Sequence, residues 1–224
     1  MSELLDPNDF IITRKRKKYK FAKFYNAKNC FEFEEWQKRA VDIVEVGAGT
    51  GLFSLELAKR HPEKRVVAVD VKADRLQFGA YRALEEGVEN ISFIRARADQ
   101  IGELFPAYQV SKIWLTFSDP FPRQRSAGRR MTHPTFLRRY HDILRPDGGL
   151  YIKHDSPDFF AWTLEQLVGE GWLIDELAFD LHESDLSDDY KILTSYETRW
   201  LDDGRTTSFV RARPPIGQSL DHLS

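Results

Sequence analysis

Val41-Asp42-Ile43-Val44-Glu45-Val46-Gly47-Ala48-Gly49-Thr50-Gly51-Leu52 turns from strand to loop to helix within 12 residues. Val41–Val46 is a short apolar run ending at glycines, the mark of a buried strand. Leu52–Arg60 reads as the helix behind the loop, stopped by Pro62. The same alternation continues outward. Arg65–Val69, Ile91–Ile94, Val110–Phe117 and Leu150–Lys153 read as strands, and Trp172–Leu181 and Thr206–Arg213 as two more. Between them Leu76, Ala80, Ala83 and Leu84 recur at helical spacing. Phe136, Tyr140, Ile143 and Leu144 form another apolar face behind a Thr132 cap, and Phe160, Leu164, Leu167 and Val168 a third behind Ser156-Pro157. Strands separated by helices predict an α/β fold whose mostly parallel, seven-stranded sheet is covered on both faces. Sites in such sheets form at the carboxyl ends of the strands.

The 224 residues fit one such domain with short extensions, and 42% hydrophobic content supplies its core. With 33 basic against 35 acidic residues the net charge is -2, so the total charge announces no nucleic-acid partner. Its distribution does. Between Phe10 and Phe31 lie eight Lys or Arg and no acid; Arg123–Arg139 holds six arginines and no acid. Acids gather in Asp175–Asp189 instead. One-sided charge blocks of this kind mark interaction surfaces. Residues 1–30 read as a basic arm, flexible when alone, 31–213 as the folded domain with a short helix near Phe33–Arg39, and 214–224 as a loose tail. The single Cys30 excludes an internal disulfide and a multi-cysteine zinc site. His133, His154 and His182 show no metal spacing, so no metal is expected. Glu3 and Asp6 stand where a signal peptide would be basic. No apolar run approaches the roughly 20 residues that span a bilayer. These features predict a cytoplasmic protein with no membrane partner, monomeric or homodimeric.

The Gly47, Gly49 and Gly51 spacing lets the backbone turn tightly and approach a ligand. Leu52 occupies the place where a dinucleotide fingerprint needs its third glycine. Glu45 would repel a pyrophosphate there but suits the cationic amino group of an amino-acid moiety. Asp70, ending the second strand, is placed to accept hydrogen bonds from ribose hydroxyls. Together these point to S-adenosylmethionine rather than NAD. In Arg95-Ala96-Arg97-Ala98-Asp99, Asp99 either closes the adenine end of the pocket or caps the helix that follows.

The fourth strand ends in Thr116-Phe117-Ser118-Asp119-Pro120-Phe121-Pro122. The proline holds Asp119 extended, which projects its carboxylate from the strand tip toward the expected sulfonium. Taken with the glycine loop, this segment, Arg129-Arg130, Lys153-His154-Asp155 and Thr194-Ser195-Tyr196-Glu197 resemble, in order, the motifs of the bacterial tRNA (guanine-N7)-methyltransferases. The resemblance spans about Arg14 to Val210. It implies a Rossmann-like class I methyltransferase fold, and methyl transfer from S-adenosylmethionine to N7 of a guanine in the variable loop of tRNA. It implies cofactor or reacting-centre contacts at Glu45, Asp70 and Asp119, with Asp119 the catalytic candidate. It also implies tRNA contacts at Arg123, Asp155 and Thr194 to Glu197. The sequence departs from the family pattern where Thr116 replaces Asn, Phe121 replaces Trp, Arg123 replaces Lys and His154 replaces Thr. By direct spacing the family's adenine-pocket acid falls on Arg97, next to Ala98, and not on Asp99.

The basic arm interleaves cations with Tyr19, Phe21, Phe24 and Tyr25, a composition that binds phosphates and stacks on bases. Arg129 and Arg130 lie in the arginine cluster beside Asp119 and are expected to steer tRNA. Trp114 and Trp162 are expected in the core. Two other readings predict different behaviour. An amine-methylating nucleobase enzyme would yield N6-methyladenine, and a non-enzymatic RNA-binding module would fail to bind the cofactor.

Overall fold

A computed structural model describes residues 4–10, 15–194, 196–198 and 204–215. Arg14, Ser195 and the tail from 216 onward lie outside the described residues. Alternation along each strand builds the two cores. In β2 (Ile43–Val46) and β3 (Val66–Asp70), Val44, Val46, Val67 and Val69 pack on one face, while Ile43, Val66 and Ala68 pack on the other. The first face is covered by α4 (Ile101–Leu104), α5 (Pro134–Ile143) and α6 (Pro157–Gly169). The second is covered by α2 (Leu52–Arg60) and α3 (Ala73–Glu85), with Trp114 stacked at 4.7 Å on Tyr151 at its centre. Each fully buried Val or Ile contributes about 1.5–3 kcal/mol.

The remaining strands are β1 (Cys30–Glu32), β4 (Ile91–Arg95), β5 (Val110–Thr116), β6 (Leu144–His154), β7 (Leu173–Ala178) and β8 (Ser208–Arg213). The sheet runs β1-β4-β3-β2-β5-β6-β8-β7. Pairings are parallel from β1 to β6, whereas β8 runs antiparallel to both β6 and β7. Chain order reverses between β2 and β5, which opens the crevice where ligands bind.

Among the described residues eight strands form rather than seven, the extra one being the three-residue β1 added beside β4. The helix expected near Phe33–Arg39 shrinks to one turn, Phe33–Glu35. Trp36 leaves helical geometry there and sends its indole N–H to the Leu104 carbonyl at 2.9 Å. His133, not Thr132, caps α5, because Thr132 is buried with its hydroxyl 2.9 Å from that of Thr163. On α6, Phe159 and Thr163 face inward and Val168 faces water. Within the basic stretch, Lys15–Asn26 forms helix α1. It buries Ala22 and Phe24 and stacks Lys23 over the Tyr81 ring of α3 at 4.9 Å. Lys17, Tyr19 and Lys28 stay exposed along this region. Among the described residues no helix is long and apolar enough to cross a membrane, and no cluster of three or more His, Cys, Asp or Glu is arranged to hold a metal.

Candidate active site

The carboxyl ends of β2, β3 and β5 surround a cavity of about 390 Å³, within the usual range for a small-molecule site. Its floor is the glycine loop. Gly47 and Ala48 donate their N–H groups to the Val69 carbonyl at 2.8 and 3.0 Å, which ties the loop to β3. Two glycines are needed for close approach. A Cβ on Gly47 would meet the Met131 methyl at 2.9 Å, and one on Gly51 would meet the Phe93 ring at 2.5 Å. Both also hold positive φ, +78° and +71°, which side chains disfavour.

Asp70 sits at one end of the cavity. Its two oxygens accept the N–H groups of Gly49 and Lys72, each at 2.8 Å. Burial pushes its carboxyl above the usual range, and those two bonds pull it back. The bonds fix the carboxylate while each oxygen retains a second lone pair for a ligand. Lys72, Arg75 and Tyr196 rim the same end, with the Arg75 guanidinium donating to the Tyr196 hydroxyl at 3.3 Å.

Glu45 lies deeper than the sequence suggests, only 1% exposed. Ser54 and Thr116 donate their hydroxyls to its two oxygens at 2.5 and 2.6 Å. Thr116, one of the departures from the family pattern, is thus a partner of the carboxylate. Burial pushes the Glu45 carboxyl up to about 7, against the opposing pull of both hydroxyls. The folded chain therefore binds a proton that the unfolded chain, with a value of 4.5, releases earlier. The stabilisation is full below pH 4.5 and is lost as pH climbs through about 7. Urea unfolding at about pH 5 and pH 8 checks this. Wild type is expected to lose about 2.5 kcal/mol more than Glu45→Gln across that window; equal losses would exclude the effect.

At the opposite end β5 breaks into a turn. Phe117 and Phe121 both adopt left-handed backbone, φ 50° and 39°, a strained state for bulky side chains. The Asp119 carboxylate between them is exposed and lines the cavity. Beside it Ser118 also lines the cavity, but its hydroxyl oxygen is enclosed and has no hydrogen-bond partner among the described residues. A tethered carboxylate at one end, a glycine floor and the Asp119 carboxylate at the other suit an elongated nucleoside ligand.

Thr194 and Tyr196 also line this cavity. Other expected site residues do not. Arg97 and Asp99 form an ion pair with each other outside it, and Ala98 packs against the core. No side chain of that segment closes the cavity, because the pairing turns both charges outward. Glu197 is fully buried, its oxygens taken by Lys153 at 2.8 and 2.9 Å. It has no exposed face for a substrate. Asp155 is half-buried and pairs with Arg205 at 3.6 Å. Within the arginine cluster, Arg138 is bound by both oxygens of Glu170, and Arg130 is turned inward. Arg123 and Arg129 remain exposed, Arg129 stacked over Phe121 at 4.4 Å. Trp162, expected in the core, lies half-buried beneath Arg130.

Lys72, Arg75, Ser118 and Met131 line the cavity without having been singled out from the sequence. Ser118 is legible as the neighbour of Asp119, and Lys72 as the cation two residues past Asp70. Met131 carries no local signal, since it reaches Gly47 only through the fold.

A family model described as "Putative methyltransferase" matches residues 39–210. The tRNA (guanine-N(7)-)-methyltransferase of Bacteroides thetaiotaomicron is 37% identical over 174 residues, 77% of this chain and 68% of that protein. The protein of the same name from Brevibacillus brevis is 37% identical over 169 residues, covering 75% and 78%. Among solved structures, the 16S rRNA methyltransferase KamB superposes with a TM-score of 0.60 at 17% identity, covering 81% of this chain and 90% of that one. The 16S rRNA (adenine(1408)-N(1))-methyltransferase from Catenulisporales acidiphilia superposes at 0.59 and 17% identity, covering 97% of both chains. At these identities the two structures speak for the fold alone. The sequence relatives go further: this chain belongs to the tRNA (guanine-N7)-methyltransferase family.

Proposed function

We propose that the chain transfers the methyl group of S-adenosylmethionine to N7 of a guanine in tRNA, acting in the cytoplasm. The observation that carries this reading is the glycine-floored cavity between two carboxylates, Asp70 and Asp119, in a chain of this family. When bound, S-adenosylmethionine supplies an electrophilic methyl group on a sulfonium. Asp70 would hold the ribose hydroxyls, Gly47 to Thr50 the space against the backbone, and Glu45 the amino-acid end from below, while Gly51 makes room for the Phe93 ring rather than for the ligand. Guanine N7 carries a free lone pair, so no residue has to act as a general base. What remains is alignment of the reacting atoms and stabilisation of the positive charge that the purine acquires, a task for the Asp119 carboxylate. A carboxylate also accepts hydrogen bonds from the N1–H and N2–H groups of guanine, which adenine does not offer.

Incubation of unmodified tRNA with labelled cofactor, followed by nucleoside mass spectrometry, tests the reading. N7-methylguanosine is the expected product. N6-methyladenosine, or no transfer by a folded protein, overturns it.

The exposed cations are proposed to place the RNA. Arg123 and Arg129 are exposed just after the turn, and Lys17 on α1 and Lys28 shortly after that helix are exposed elsewhere on the surface. Charge reversal at both arginines (Arg123→Glu with Arg129→Glu) is expected to weaken tRNA binding and to flatten its salt dependence, by about 1 in slope for each phosphate no longer neutralised. Titrations at several salt concentrations read both quantities, and an unchanged slope counts against this surface.

A further inference from the structure

The turn that presents Asp119 is held from both sides by side chains that no part of the proposed reaction uses. Upstream, His154 donates its Nε2–H to the Ser118 carbonyl at 2.9 Å. Its Nδ1 accepts the Ser156 N–H at 2.9 Å, which fixes the neutral tautomer. The ring is 2% exposed, burial keeps its pKa low, and Phe159 packs on it at 4.3 Å. Downstream, the Arg130 guanidinium donates to the Pro120 carbonyl at 3.0 Å and the Phe121 carbonyl at 3.1 Å. Its other surface lies over the Trp162 ring at 4.3 Å. Three of the four carbonyls from Ser118 to Phe121 are therefore occupied by partners from distant segments, while the carboxylate between them stays open to the cavity.

We propose that Arg130 and His154 are positioning residues, which hold the strained Ser118–Phe121 turn so that the Asp119 carboxylate is fixed at the cavity before substrate arrives. The turn has no helix or sheet to support it, and Phe117 and Phe121 sit in backbone states that persist only when their surroundings impose them. A planar guanidinium with several N–H donors spans two adjacent carbonyls with its edge while its face stacks on an indole; a compact ammonium has no such fork and face and does not do both at once. Arg130 is accordingly spent on the protein rather than on tRNA phosphates, in contrast with Arg129 one residue before it.

The inference rests on Asp119 facing the reacting centre, and a double-mutant cycle separates the two claims. The measured quantities are the single-turnover methylation rate at saturating tRNA and cofactor, the tRNA Kd with its salt slope, and the melting temperature. Arg130→Gln is expected to lower the rate at least tenfold, with Kd within about twofold and an unchanged slope, and Arg130→Lys to recover little. In an Asp119→Asn background, Arg130→Gln is expected to cost under threefold, because its effect passes through the missing carboxylate. His154→Gln, whose amide both donates and accepts, is expected to keep most of the rate, and His154→Phe to lose it. The proposal is overturned if Arg130→Gln raises Kd and flattens the slope while the saturated rate holds. Full multiplicative losses in the double variant also overturn it. If Asp119→Asn itself keeps the wild-type rate, the reading of the reacting centre fails instead. Should Arg130→Gln not fold, the two His154 variants decide the matter on the same readouts, since equal rates for Gln and Phe leave no role for the hydrogen bond.

Discussion

Asp119→Asn is expected to lower the single-turnover methylation rate by about 10²–10³-fold, the scale set by losing one preorganised electrostatic group in an active site. Cofactor affinity and melting temperature are expected to change little, because the carboxylate is exposed and no packing depends on it. The amide keeps the shape of the side chain and one acceptor oxygen. It loses the negative charge, and its NH₂ turns a donor toward the donors of the guanine edge. Two effects thus combine: the cationic purine is less stabilised, and its Watson–Crick edge is held less well. Equilibrium dialysis with labelled cofactor, a melting curve and rapid-quench kinetics on one preparation separate them from misfolding. A folded variant that binds cofactor normally and turns over at the wild-type rate would remove Asp119 from the reaction.

What the sequence made legible follows from how local each signal is. The strands from Ile43 to Arg213 show as apolar runs or alternation because most of their apolar side chains meet one of two cores, although on β7 Leu173, Ile174 and Leu177 are exposed and only Ala178 is buried. β1 does not show, because three residues carry no period and gain their order only by pairing with β4. The α1 helix was hidden by its lysines. Its signal is the Phe21 and Tyr25 pair, one turn apart around the buried Ala22 and Phe24, which the charge of the stretch outweighed.

At the site, Gly47, Asp70 and Asp119 were legible because strand ends and glycines announce themselves in the chain, and all three line the cavity. The charged residues were harder to read. A sequence shows that Arg129 and Arg130 are basic and adjacent; it does not show that one faces water while the other finds two carbonyls and an indole. Arg97 similarly stands at the expected position for a pocket residue, yet pairs with Asp99 two residues on. Long-range partners decide whether a charge serves a ligand or the fold, and such partners leave no periodic trace.

The same distinction governs Glu197, which the family motif suggests as a substrate contact and the structure encloses. Its carboxylate meets the Lys153 ammonium at 2.8 Å, accepts the Thr194 N–H at 2.8 Å, and lies 3.2 Å from His182 Nε2. Lys153 also donates to the Ile192 carbonyl at 2.9 Å, and burial holds its pKa below the usual lysine range although Glu197 pulls it upward. The pair therefore anchors the segment bearing Thr194 and Tyr196 to the end of β6, beside the cavity they line. Glu197→Gln leaves the ammonium enclosed without its hydrogen-bonded carboxylate, with Glu45 the remaining acid acting on it. It is expected to destabilise the protein by about 3–5 kcal/mol, the usual cost of removing one partner of a buried pair. Urea unfolding measures that loss. Replacing both charges together (Lys153→Met with Glu197→Gln) is expected to recover part of it, since the enclosed charge is then gone. A direct substrate contact predicts the reverse: unfolding of Glu197→Gln would match wild type while tRNA methylation fell, and the double variant would recover nothing. The two outcomes differ in the stability of protein without tRNA, where no substrate contact can act, so the unfolding curve alone assigns Glu197 to the wall or to the ligand.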